Sequence, residues 1–139
     1  MLDDKEYQRW IRSARYTLES ARRDYKAGDY VWACFKSHQA AEKAVRALLW
    51  GIGSPKIGHS ITRLLKHLQA LGLEVPENIY EKAMVLDKYY IPTRYPDVWS
   101  EGAPEEYFSR REAEEALSYA SDIVEWVEGL WRRLSSRRD

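Results

Sequence analysis

The chain has 139 residues, enough for one domain over residues 1–139 with a real core. Apolar residues make up 45% and charged residues 32%, which excludes a disordered chain. With 22 basic and 22 acidic side chains the net charge is zero, so a whole-surface basic field for nucleic acid is excluded and only local patches remain.

In chain order, the first predicted helix runs from about Asp4 to Lys26. Tyr7, Trp10, Ile11, Ala14, Leu18, Ala21 and Tyr25 recur at steps of three and four. Asp3 or Asp4 caps its start and Gly28 ends it in a left-handed turn. The second runs from about Tyr30 to Trp50, with Gly51 as its stop. It is rich in small residues (Ala33, Cys34, Ser37, Ala40, Ala41, Ala44, Ala47), which let neighbouring helices approach closely, so it is expected at the centre of a bundle. Residues 51–58 form a turn region with Gly51, Gly53, Pro55 and Gly58 as breakers. A third helix, from about Ser60 to Leu71, carries a stripe of Ile61, Leu64, Leu65, Leu68 and Leu71, and Gly72 ends it. A fourth runs from about Pro76 to Tyr90, where Pro92 stops it. Residues 91–108 show no helical period. A loop of that length inside a compact domain is uncommon and often functional. The last helix starts at Ser109, where Ser109-Arg110-Arg111-Glu112 fits a capping box, and continues to about Leu134. No segment alternates like a strand. The expected fold is all-α, an up-and-down antiparallel bundle of about five helices.

No apolar run is long enough to span a membrane, and the acidic start Met1-Leu2-Asp3-Asp4 is not a signal peptide, so the cytoplasm is the expected location. One Asn and three Gln against many Arg and Glu give a compositional hint of a thermophilic source. The single cysteine, Cys34, excludes an intrachain disulfide and a cysteine-based metal cluster. Its alanine-rich surroundings suit a buried small residue. Basic pairs at Arg22-Arg23, Arg132-Arg133 and Arg137-Arg138 read as solvated helix faces, with a functional patch as the alternative.

The second helix also holds His38, Gln39, Glu42 and Lys43. His38 and Glu42 are four apart and share a face, a spacing that suits either an acid–base pair or a plain buried histidine beside a helix ion pair. The further ligands of a metal site are not apparent, and no metal or other cofactor is expected. His59 reads as a cap or a hydrogen bond across the bundle end. No phosphate-binding glycine loop or nucleophile elbow occurs.

The stretch Tyr89-Tyr90-Ile91-Pro92-Thr93-Arg94-Tyr95-Pro96-Asp97 is unlike a linker. Two prolines stiffen it and push Ile91 and Tyr95 towards extended backbone. Arg94 is thereby presented between Tyr90 and Tyr95, a chemistry suited to phosphate and base. The structural alternative pairs Arg94 with Asp97 or Asp87 and uses the tyrosines to seal the bundle end.

The run Ser37-His38-Gln39-Ala40-Ala41-Glu42-Lys43-Ala44-Val45-Arg46-Ala47-Leu48-Leu49 resembles the central helix of the HEPN family, named for higher eukaryotes and prokaryotes nucleotide-binding. Gly58-His59, Leu64-Leu65, Leu86-Asp87 and the tyrosine–proline–arginine loop follow in the family's order. The resemblance implies a helical bundle, usually a homodimer, that binds a nucleotide or RNA. It also implies a partner, a minimal nucleotidyltransferase, with which the chain forms a toxin–antitoxin-like module. The candidate binding residues are then Arg94, Tyr90, Tyr95, Asp97, Lys43, His38, His59 and Asp87. Many members are metal-independent ribonucleases with an arginine followed after four to six residues by a histidine. That signature is absent here: Arg63 and His67 have only three residues between them, and no histidine follows Arg94. A divergent ribonuclease and a non-catalytic interaction protein stand as the alternatives.

Overall fold

The structure is a computed structural model that describes residues 1–137. Arg138, second of the last basic pair, lies outside the described residues, as does Asp139. Five α-helices and two 3-10 turns are present among the described residues, and no strand.

Helix α1 (Asp4–Lys26) forms as its apolar period requires, burying Tyr7, Ile11, Ala14, Leu18 and Ala21. Asp3 caps it, Oδ1 accepting the Glu6 amide at 3.1 Å. Gly28 adopts a φ of 80°, and the chain turns directly into helix α2 (Tyr30–Gly51). The short connection makes α1 and α2 an antiparallel hairpin. The small residues of α2 let it pack against α1, helix α3 (Ile61–Ala70), helix α4 (Glu77–Asp87) and helix α5 (Arg110–Arg137) at once. Leu48, Leu49, Leu64, Leu65, Ile123 and Val124 fill one connected core. Burial of this kind stabilises by about 1.5–3 kcal/mol per large side chain.

Three helix ends differ from the sequence expectation. Gly51 is the last residue of α2 and keeps helical backbone, and the left-handed turn falls at Gly53, with a φ of 79°. The glycine serves packing instead, because a Cβ there would run into the Trp131 ring, which stacks on Tyr7 at 4.2 Å. Helix α4 ends at Asp87 rather than Tyr90, since the Asp87 side chain reaches across to α3 and Tyr89 N–H bonds Leu86 three residues back. Helix α5 continues three residues past Leu134. Its predicted capping box is present: Ser109 Oγ accepts the Glu112 amide at 3.1 Å, and Glu112 Oε1 accepts the Ser109 amide at 3.0 Å.

The long loop contains 3-10 turns over Pro96–Val98 and Pro104–Glu106. It is stapled from within. Trp99 Nε1 donates to the Pro92 carbonyl at 2.9 Å, and its ring stacks on Tyr107 at 4.0 Å. Thr93 is buried and its hydroxyl donates to the Tyr89 carbonyl at 2.7 Å. Of the basic pairs, Arg23, Arg132 and Arg133 are exposed and Arg22 pairs with Glu19 on its own helix. Among the described residues no helix is long and apolar enough to cross a membrane.

Candidate functional site

Asp87, at the end of α4, spends its carboxylate on the start of α3. Oδ1 accepts the Ile61 amide at 2.8 Å. Oδ2 accepts the Thr62 amide at 3.1 Å, the Thr62 hydroxyl at 2.7 Å and the Ser60 hydroxyl at 3.1 Å. These donors are the orphan groups of a helix N-terminus. Burial pushes the Asp87 carboxyl up, but hydrogen bonds from His38, Thr62 and the Ile61 and Thr62 amides outweigh it and hold the group below its usual value.

His38 is fully buried on α2. Its Nε2 lies 2.9 Å from the His59 carbonyl and 3.4 Å from Asp87 Oδ1. Both neighbours accept, so Nε2 carries the hydrogen and pins the backbone of His59. The acid–base pair that its spacing with Glu42 allowed is not formed. Glu42 turns instead to His59, Oε1 lying 3.2 Å from Nδ1, while Oε2 sits 3.2 Å from Arg46 Nε. Arg46 also donates to the Gly58 carbonyl at 2.7 Å, fixing the turn before His59. The His59 side chain is 54% exposed, and its ring stacks on Tyr90 with centroids 4.6 Å apart and planes 18° from parallel.

Arg94 lies on the same Tyr90 ring. Its guanidinium carbon is 4.4 Å from the Tyr90 centroid, 4.7 Å from Phe35 and 5.0 Å from Tyr95. Nε donates to the Tyr90 carbonyl at 2.9 Å. The terminal nitrogens make no hydrogen bond or ion pair among the described residues. Neither the Arg94–Asp97 nor the Arg94–Asp87 pair forms: Asp87 is engaged at α3, and Asp97 is exposed in its 3-10 turn. Beside this wall lies a cleft of about 450 Å³ lined by His59, Ser60, Lys88, Tyr90, Ile91 and Pro92.

Sequence candidates His38, His59, Asp87, Tyr90, Arg94 and Tyr95 thus meet at one end of the bundle. Lys43 does not. It faces α1, donating to Ser13 at 2.9 Å and Thr17 at 3.0 Å, and burial pulls its ammonium below the usual lysine value. Phe35 and Arg46 are site residues that the sequence reading does not include, and of its two alternatives for His38 and Glu42 the structure shows the buried histidine beside a helix ion pair, Glu42 with Arg46. Their signal was present in α2, where residues 35, 39, 42 and 46 form a polar and aromatic stripe on an otherwise small-residue helix. Cys34 is buried and its thiol is pushed up to about 12, which suits packing and not nucleophilic attack. Chemically, the wall offers stacking faces, a guanidinium fork and an imidazole whose Nδ1 faces a carboxylate.

The chain is 46% identical to TT1696 of Thermus thermophilus, over 88% of this chain and 96% of that one, with a TM-score of 0.85. It is 45% identical to ST0689, an archaeal HEPN homologue, over 89% and 96%, with a TM-score of 0.76. An HEPN domain protein of Thermotoga maritima is 36% identical over 90% and 98%, with a TM-score of 0.75. No curated protein matches. The HEPN domain model matches residues 7–130, and the chain belongs to the HEPN family.

Proposed function

We propose that the chain binds a nucleotide or RNA phosphate at Arg94, with Tyr90 and His59 beside the base or sugar. Membership of the HEPN family supports a nucleotide- or RNA-related function. The observation that carries the finer reading is the state of Arg94. Its Nε is spent on Tyr90, three rings hold its plane, and no carboxylate takes its terminal donors among the described residues. A guanidinium so fixed is arranged for a forked anion. The protein acts as a homodimer and as one half of a toxin–antitoxin-like module with a minimal nucleotidyltransferase; family resemblance supports both. The test is thermal stabilisation by ribonucleoside 5′-monophosphates and short RNA, with and without Arg94→Ala. Stabilisation that Arg94→Ala removes supports the reading. Equal stabilisation in both forms rejects it.

One contact favours a second reading, a metal-independent ribonuclease. His59 has its Nδ1 on Glu42 and a half-exposed ring beside the cleft, an arrangement that suits a general base. The first reading expects little RNA cleavage by the protein alone in the presence of a chelator. Robust cleavage abolished by His59→Ala would establish the second.

A further inference from the structure

After its first turn, helix α2 is buried except along one stripe, where Phe35, Lys36, Gln39, Lys43, Arg46 and Trp50 remain partly exposed. At about 3.6 residues per turn these positions fall on one face. The stripe has an aromatic and cationic group at each end. Near its start, Phe35 lies under Arg94. Near its finish, Trp50 stacks on Trp10 with centroids 6.1 Å apart and planes 16° from parallel, and the Arg46 guanidinium sits 5.6 Å from the Trp10 ring. A second cleft of about 300 Å³ opens there between α1 and α2, lined by Arg9, Trp10, Ser13 and Lys43.

The charges of this end are unevenly matched. Arg9 pairs with Glu6, and Arg46 shares Glu42 with His59. The Lys43 ammonium has only the Ser13 and Thr17 hydroxyls, with no carboxylate at ion-pair distance among the described residues, although the cleft is partly desolvated. An anion there would supply the missing counter-charge. From Phe35 to Arg46 the helix rises about 16 Å. One nucleotide does not reach both ends, whereas roughly five stacked nucleotides at about 3.4 Å each do.

We propose that the α1–α2 cleft is a second station for a single-stranded nucleic acid. A base packs on the Trp10–Trp50 pair, and a neighbouring phosphate takes Lys43. The ligand is therefore an oligonucleotide strand that runs along α2, and its other end rests on the Arg94 reading above. Charge complementarity and stacking, without base-edge readout, give such a track length dependence and little sequence preference.

The test measures fluorescence anisotropy with labelled strands of about six nucleotides, as RNA and as DNA, against nucleoside monophosphates on the full chain. Trp50→Leu and Lys43→Gln probe the station, Arg94→Ala the other end, and melting is recorded for each. The expected result is that Trp50→Leu and Lys43→Gln each weaken strand binding roughly tenfold and leave monophosphate binding unchanged. Tryptophan quenching by the strand should also fall in Trp50→Leu. Strands that bind no tighter than monophosphates, or that keep their affinity in folded Lys43→Gln and Trp50→Leu, overturn the station. If Arg94→Ala still weakens binding in that case, the Arg94 reading stands. Strand binding lost in Trp50→Leu and Lys43→Gln but untouched by Arg94→Ala keeps the station and removes the Arg94 reading.

Discussion

Asp87 and Gly51 are single residues whose roles depend on neighbours remote in sequence. Asp87 caps α3 from the end of α4 and sits against His38. Asp87→Ala leaves the Ile61 and Thr62 amides without their acceptor, and the expected loss is about 1–3 kcal/mol in urea unfolding. The pH dependence has a definite sign. The folded-state carboxyl lies below its ordinary value of 3.8, so its contribution is complete above that value and is lost as pH falls through the folded pKa. Asp87→Asn should therefore flatten the acid limb of the stability curve below about pH 4. Gly51 offers a sharper test of sign. Helix propensity alone favours alanine by about 1 kcal/mol. The Trp131 ring occupies the space of the missing Cβ, so Gly51→Ala should instead destabilise by about 1–3 kcal/mol. A raised melting temperature in Gly51→Ala would show that the ring moves aside at little cost.

At the scale of elements, the helices were legible because their cause is local. The period of Tyr7, Ile11, Ala14 and Leu18 needs only a helix with one buried face, and Asp3, Gly28 and Ser109 mark ends by their own backbone chemistry. What the sequence did not show is non-local. The fate of Gly51 depends on Trp131, and the early end of α4 depends on the donors of α3. The candidate site divides in the same way. Arg94, Tyr90 and Tyr95 stood together in one stiff stretch, whereas Phe35 and the contacts of His59 with His38 and Glu42 need three elements to meet. The loop over residues 91–108 is held by its own aromatic contacts, with Phe108 anchoring it in the main core. Trp99→Ala should thus raise hydrogen exchange in this loop before it lowers global stability, whereas Leu65→Ala in the core should cost about 2–5 kcal/mol globally. Equal exchange in the loop of Trp99→Ala and of the parent would mean that the staple is not what orders it.

For the whole molecule, six tryptophans and ten tyrosines are many for one small bundle. Trp32, Ile91, Tyr95 and Val98 remain exposed, and large exposed apolar groups suit an interface. The expected species in sedimentation at micromolar concentration is a dimer, and a monomer alone at that concentration removes the claim. The central claim is that the aromatic loop holds Arg94 for a ligand's phosphate and not for the fold. Its most direct measurement sets melting beside nucleotide and RNA affinity for Arg94→Ala, Arg94→Lys and Asp97→Ala. The expected result is a stability loss of about 1 kcal/mol in Arg94→Ala, from the aromatic contacts. Its affinity should fall by about 1.5–3 kcal/mol, Arg94→Lys should restore only part of that affinity, and Asp97→Ala should melt normally. Unchanged affinity in Arg94→Ala together with a large fall in its melting temperature would contradict the claim and leave Arg94 as the seal of the bundle end.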